Sequence, residues 1–101
     1  MPTLTLPQLV AGRELAAEAV ARLGSLAGEH VVVDARPLIS GSTSFAGQLV
    51  RSTLVDGHAA ELALVGGPEE FRADVRVAAE RLEVAEAVHF LPADVELDVR
   101  S

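Results

Sequence analysis

Residues 30–50 read HVVVDARPLISGSTSFAGQLV, and the fold turns on how this stretch divides. Its opening, HVVVDA at 30–35, is a short β-branched run bounded by loop signals. Such a run suits a strand buried on both faces, as in a parallel sheet. RPLISGS then reads as a loop. From about Ser44 to Leu54 the period changes: Ala46, Leu49, Val50 and Thr53 recur at helical spacing and form an inner stripe. Gly47 interrupts that helix at a cost of ~1 kcal/mol relative to alanine. A close approach to another backbone would justify it.

Working outward, the same alternation of strand and helix repeats. TLTL at 3–6 alternates and reads as a short strand. Residues 12–27 read as a helix with Leu15, Ala19, Leu23 and Leu26 on one stripe; Gly24 and Gly28 are candidate stops. ELALV at 61–65 is the next strand. In GGPEEF, Pro68 suits the first helical position, and Glu69 and Glu70 suit the positive end of a helix. Phe71, Val75, Ala78 and Leu82 continue that helix to about Glu83. AVHFL at 87–91 is the last strand of the series.

The order β-α-β-α-β-α-β predicts an α/β domain: a mostly parallel four-stranded sheet with about three helices packed on it. The domain spans 1–92. The tail 93–101 alternates Val95, Leu97 and Val99 with charged residues and reads as an edge strand or a free tail. In open sheets of this class, sites form beyond the carboxyl ends of the strands. Two loops leave strands there, Asp34–Ser44 and Gly66–Pro68, and are expected to share one edge.

Composition narrows the chemistry. The chain has 101 residues, half of them hydrophobic, and carries a net charge of −7. That charge repels nucleic acid and anionic membranes, so neither is an expected partner. Without cysteine there is no disulfide, thiolate site or cysteine nucleophile. No apolar run approaches the ~20 residues that span a bilayer, and MPTLTLPQLV has no signal-peptide character. The expectation is a cytoplasmic protein.

Specific catalytic motifs are absent. With no lysine among its eight basic residues, the chain has no Walker loop, and G-x-G-x-x-G does not occur. Gly66 and Gly67 read as a tight turn and helix cap. His30, His58 and His89 share no ligand spacing and read as isolated, so neither metal nor cofactor is expected. Ser42 or Ser44 with Asp34 and a histidine would make a triad in composition only, because G-x-S-x-G is missing. The three hydroxyls Ser42, Thr43 and Ser44 instead suit a helix cap or a phosphorylation switch, since a phosphate is favourable at a helix N-terminus.

VVVDARPLISGSTSFAGQLV resembles the central strand-loop-helix of STAS domains, the anti-sigma-factor antagonist fold. Asp34 matches that family's strand-ending Asp, Ser42 its phosphorylated serine, Thr43 the serine after it, and Phe45 its leucine. Gly41 stands in place of the family's acid, and Ser44 in place of its glycine. ELALVGGPEEFRADVRVAAERLEVAEAVHF is similar to the next strand, helix and last strand, so the resemblance covers about residues 10–91. GRELAAEAV and STSFAGQLV look closer to a divergent STAS-like family that often lies near histidine-kinase-like ATPases.

The resemblance implies a non-enzymatic regulatory module that binds a protein, an anti-sigma-type ATPase or a serine kinase. Its partner-binding residues would be Asp34, Gly41, Ser42, Thr43, Phe45, Gly47 and Gln48. Its switch would be Ser42, with Thr43 and Ser44 behind it. Two other readings stand beside it: a homo-oligomeric assembly subunit that pairs through the tail, and a small-ligand or nucleotide sensor at the strand-end crevice.

Overall fold

The computed structural model describes residues 2–95. In chain order the elements are β1 (Thr3–Thr5), β2 (Leu9–Val10), α1 (Arg13–Ala21), β3 (His30–Asp34), β4 (Ser40–Gly41), α2 (Thr43–Val50), a π-helical extension (Arg51–Asp56), β5 (Glu61–Val65), α3 (Glu69–Arg81), a 3₁₀ turn (Ala85–Ala87) and β6 (Val88–Leu91). The main sheet is fully parallel in the order β1-β3-β5-β6. This is the α/β domain with three helices and a four-stranded parallel sheet that the sequence pattern predicts.

The strands lie side by side in chain order, and parallel crossovers are right-handed. Every crossover therefore turns over the same face, and the three helices stack there, α1 on α2 and α2 on α3. Register fixes which side chains meet them. Leu4, Val33, Leu64 and Phe90 form one row across the sheet, and Val31, Leu62 and Val88 the next. These rows join Ala16 and Val20 of α1, Phe45, Ala46, Leu49 and Val50 of α2, and Phe71, Val75 and Ala79 of α3 in one core. The alternate row, Thr3, Val32, Ala63 and His89, lies on the helix-free face. HVVVD is still buried on both sides: Val32 is only 6% exposed although it stands outside the core.

Several boundaries differ from the sequence reading. The first helix stops at Ala21 instead of 27, where a turn leads into Gly24 at φ +81°. Its buried face is Ala16 and Val20, while Leu15 is 46% exposed. The residues that join the core are Ala16 and Val20, so side-chain size alone does not mark the inner stripe of this helix. RPLISGS is not wholly loop: Leu9 and Val10 pair in parallel with Ser40 and Gly41 in a second, two-stranded sheet. The chain's start thus holds two strands.

The second helix begins at Thr43, and its regular part ends at Val50; the π-helical turn carries it on to Asp56. Thr53, fully buried there, returns its hydroxyl to the carbonyls of Leu49 (2.8 Å) and Val50 (3.2 Å). That satisfies a polar group which would otherwise be costly to bury. Pro68 caps the third helix from just outside it. Val95 closes a turn back to the Pro92 carbonyl; the expected edge strand of the tail falls mostly outside the described residues.

Candidate functional site

The two loops at the strand ends do meet. Ala35 N–H donates to the Val65 carbonyl, and a Cβ on Gly67 would lie 3.0 Å from that of Ala35. Leu9 of β2 and Ile39, the residue before β4, are exposed apolar side chains, and α2 begins just after β4.

Ser42 is the N-cap of α2. Its Oγ accepts the N–H of Phe45 (3.0 Å) and the N–H of Gly12 (3.2 Å). One hydroxyl thus ties together the starts of two helices. With both lone pairs occupied, its own proton is directed to Ser44 Oγ, 3.2 Å away. Thr43 donates to the Asp74 carboxylate of α3 (3.1 Å). Ser44 is exposed, and among the described residues its hydroxyl has no partner besides Ser42.

Three of the residues expected on a partner face do not form one with these hydroxyls. Phe45 is 1% exposed and packs its ring 6.3 Å from that of Phe71. It is a core residue, because the leucine-like position falls on the inner stripe of α2. Gly41 is closed over by the same Phe71 ring, 2.6 Å from where its Cβ would be. Asp34 lies in the row of Thr5 and Val65 on the helix-free side. There its carboxylate takes a two-pronged bond from Arg36, Nε and Nη2 both at 2.9 Å. Those hydrogen bonds hold the carboxyl below its ordinary pKa, partly opposed by burial. Arg36 also donates to the Val95 carbonyl.

The histidines are not all isolated. Register sets His30 beside Glu61 and brings His89 close on the next strand. His30 Nδ1 lies 2.6 Å from one Glu61 oxygen and His89 Nε2 lies 3.1 Å from the other. The bond from His89, then that from His30, holds the Glu61 carboxyl low. A carboxylate shared between residues 31 and 28 positions away carries no spacing signal along the chain. Among the described residues no cluster of His, Asp and Glu is arranged to hold a metal ion. Nor do Ser42 and Asp34 share a histidine: Ser42 bonds Gly12, Phe45 and Ser44, Asp34 bonds Arg36, and both His30 and His89 bond Glu61.

Thr43, Ser44, Gly47 and Gln48 do come together, on the wall of an open groove of about 730 Å³ between α2 and α3. The α2 side is the stripe Ser44, Gly47, Gln48, Arg51; the α3 side is Asp74, Val77, Ala78, Arg81. Arg13 of α1 and Leu82 complete the lining. Both stripes run at offsets of zero, three, four and seven, so they are helix faces by construction. A Cβ on Gly47 would meet nothing within 4 Å. The expected close backbone approach at Gly47 is therefore absent; the space beside it is the groove.

The sequence reading missed Arg13, Arg51, Asp74, Val77 and Arg81. Their signal was the outer stripe of each helix, which is ordinarily a solvated face. No helix of the described residues is long and apolar enough to cross a membrane. No protein-family model, no curated protein and no solved structure matches the chain.

Proposed function

We propose that this chain is a non-enzymatic, STAS-like interaction module of the cytoplasm that docks a protein partner along the start of α2 and the α2–α3 groove. The observation that carries the reading is Gly47. Glycine inside a helix costs ~1 kcal/mol, yet here it relieves no contact within the domain. What it does is keep the groove open between Ser44 and Arg51. A helix residue that weakens its own helix and frees space outside it fits contact from another molecule.

The resemblance adds the expected partner, an anti-sigma-type ATPase or serine kinase, and a hydroxyl switch. Of the three candidates, geometry favours Ser44. A phosphate on Ser42 would displace its bonds to Gly12 and Phe45, and one on Thr43 would confront the Asp74 carboxylate. A phosphate on Ser44 would stand at the N-terminus of α2, in the groove that Arg13 and Arg51 line.

The test is photo-crosslinking in cells with a benzophenone amino acid at Gln48, inside the groove, or at Leu15, exposed but outside it. The reading expects a discrete protein adduct from position 48 alone, lost when Gly47→Leu fills the groove. The same adducts from both positions, or none from 48, would sink it.

A further inference from the structure

We propose that the occupant of the α2–α3 groove is an acidic amphipathic helix of the partner protein, an inference that rests on the docking reading above and specifies its chemistry. The charge distribution carries it. Four of the seven described arginines are engaged within the domain: Arg22 with Glu18, Arg36 with Asp34, and Arg72 and Arg76 over the Phe90 ring. The other three are Arg13, Arg51 and Arg81, and no guanidinium among them has an ion pair or hydrogen bond among the described residues. All three line this groove. In a chain of net charge −7, the uncommitted guanidinium groups of the described residues are gathered on one surface. The lone carboxylate of the lining, Asp74, already accepts the Thr43 hydroxyl.

The spacing of the charges points to an extended ligand. Arg13 follows Gly12, whose N–H bonds Ser42, so it belongs to the end of the groove where α2 starts. Arg51 and Arg81 lie seven residues beyond Ser44 and Asp74, ~10 Å further along the helices. Between the two ends stand Val77, 44% exposed, the half-buried Ala78 and the gap at Gly47, and the half-buried Leu82 follows Arg81 at the far end. A helix with carboxylates seven residues apart repeats that ~10 Å interval and places apolar side chains between them. A lone phosphate would reach only one end. A nucleic acid would face an acidic domain and a lining without aromatic side chains.

Fluorescence anisotropy with labelled helical peptides tests this on the full chain. One peptide carries two Glu seven residues apart with Leu between them; its counterpart carries Lys in their place. The Glu peptide should bind ~10-fold tighter than the Lys peptide and weaken as salt rises. Arg51→Glu with Arg81→Glu should erase the preference, and Arg51→Gln with Arg81→Gln should reduce it, with thermal unfolding confirming that each variant folds. Equal binding of the two peptides, or none of either, overturns the proposal; so does competition by inorganic phosphate or ATP that the Arg pair variant does not alter. If the adduct at Gln48 forms undiminished in the Arg51→Glu, Arg81→Glu chain, the acidic occupant is wrong and docking stands. If no discrete adduct forms at Gln48, docking itself fails.

Discussion

The Phe71 ring occupies the space of a side chain at position 41: a Cβ on Gly41 would lie 2.6 Å from Phe71 Cδ1 and 3.1 Å from Val10 Cγ2. Phe71 of α3 fills this position, so no larger side chain fits there without movement of the ring. Gly41→Asp should destabilise the fold by at least the ~1–3 kcal/mol of overpacking. At roughly 4–8 °C per kcal/mol, thermal unfolding will resolve it. An unchanged melting temperature would mean that Phe71 yields freely.

Gly47 should behave in the opposite way. Its Cβ position is open, so Gly47→Ala should raise stability by up to ~1 kcal/mol. Denaturant unfolding measures this directly. Destabilisation would show that the glycine serves the interior after all, and would remove the observation on which docking rests.

The hydroxyls should separate by their bonds. Ser42→Ala removes the cap of α2 and the acceptor for Gly12, at a cost of about 1 kcal/mol. Ser42→Asp keeps an acceptor at a position where aspartate ranks with serine, so its stability should stay close to wild type. Ser44→Ala should change stability by less than about 0.5 kcal/mol. If Ser44→Ala proved as costly as Ser42→Ala, the capping assignment would be wrong.

Acid should loosen the helix-free face. The Glu61 carboxyl is held low by His89 and His30, so the folded chain binds its proton less readily than the unfolded one. The stability this adds is fully present above the ordinary glutamate value of about 4.3. It fades as pH falls through the lowered folded value. Melting temperatures from pH 7 to pH 3 should fall less steeply for Glu61→Gln than for wild type. Parallel curves would mean that the ladder adds nothing in solution.

How much of this was legible depends on the range of each interaction. The inner stripe of α2 and the strand at 61–65 were plain, because burial repeats at a local period. The stripe of α1 is less plain, because its buried members are Ala16 and Val20 while the larger Leu15 is exposed. The β2–β4 pair joins Val10 to Gly41, and the Glu61 ladder joins three strands; neither leaves a local periodicity. The hydroxyl cluster lies at the start of α2, with Ser42 as its N-cap. Which of its members is the cap, and which faces out, depended on Gly12 and Asp74, which only folding brings near.

The order of strands in the main sheet has a consequence for how the molecule is made. Each strand hydrogen-bonds to the sheet strand synthesised just before it, with one helix wound between. A chain leaving the ribosome can therefore add one strand-helix unit at a time, without holding an unpaired strand open for a distant mate. Pairing each strand with its immediate predecessor confines every loop closure of the main sheet to one strand-helix unit and limits the life of exposed edges. Stalled chains long enough to free β5 from the exit tunnel should already protect β1, β3 and α2 from proteolysis, while α3, added later, brings Phe71 over Gly41.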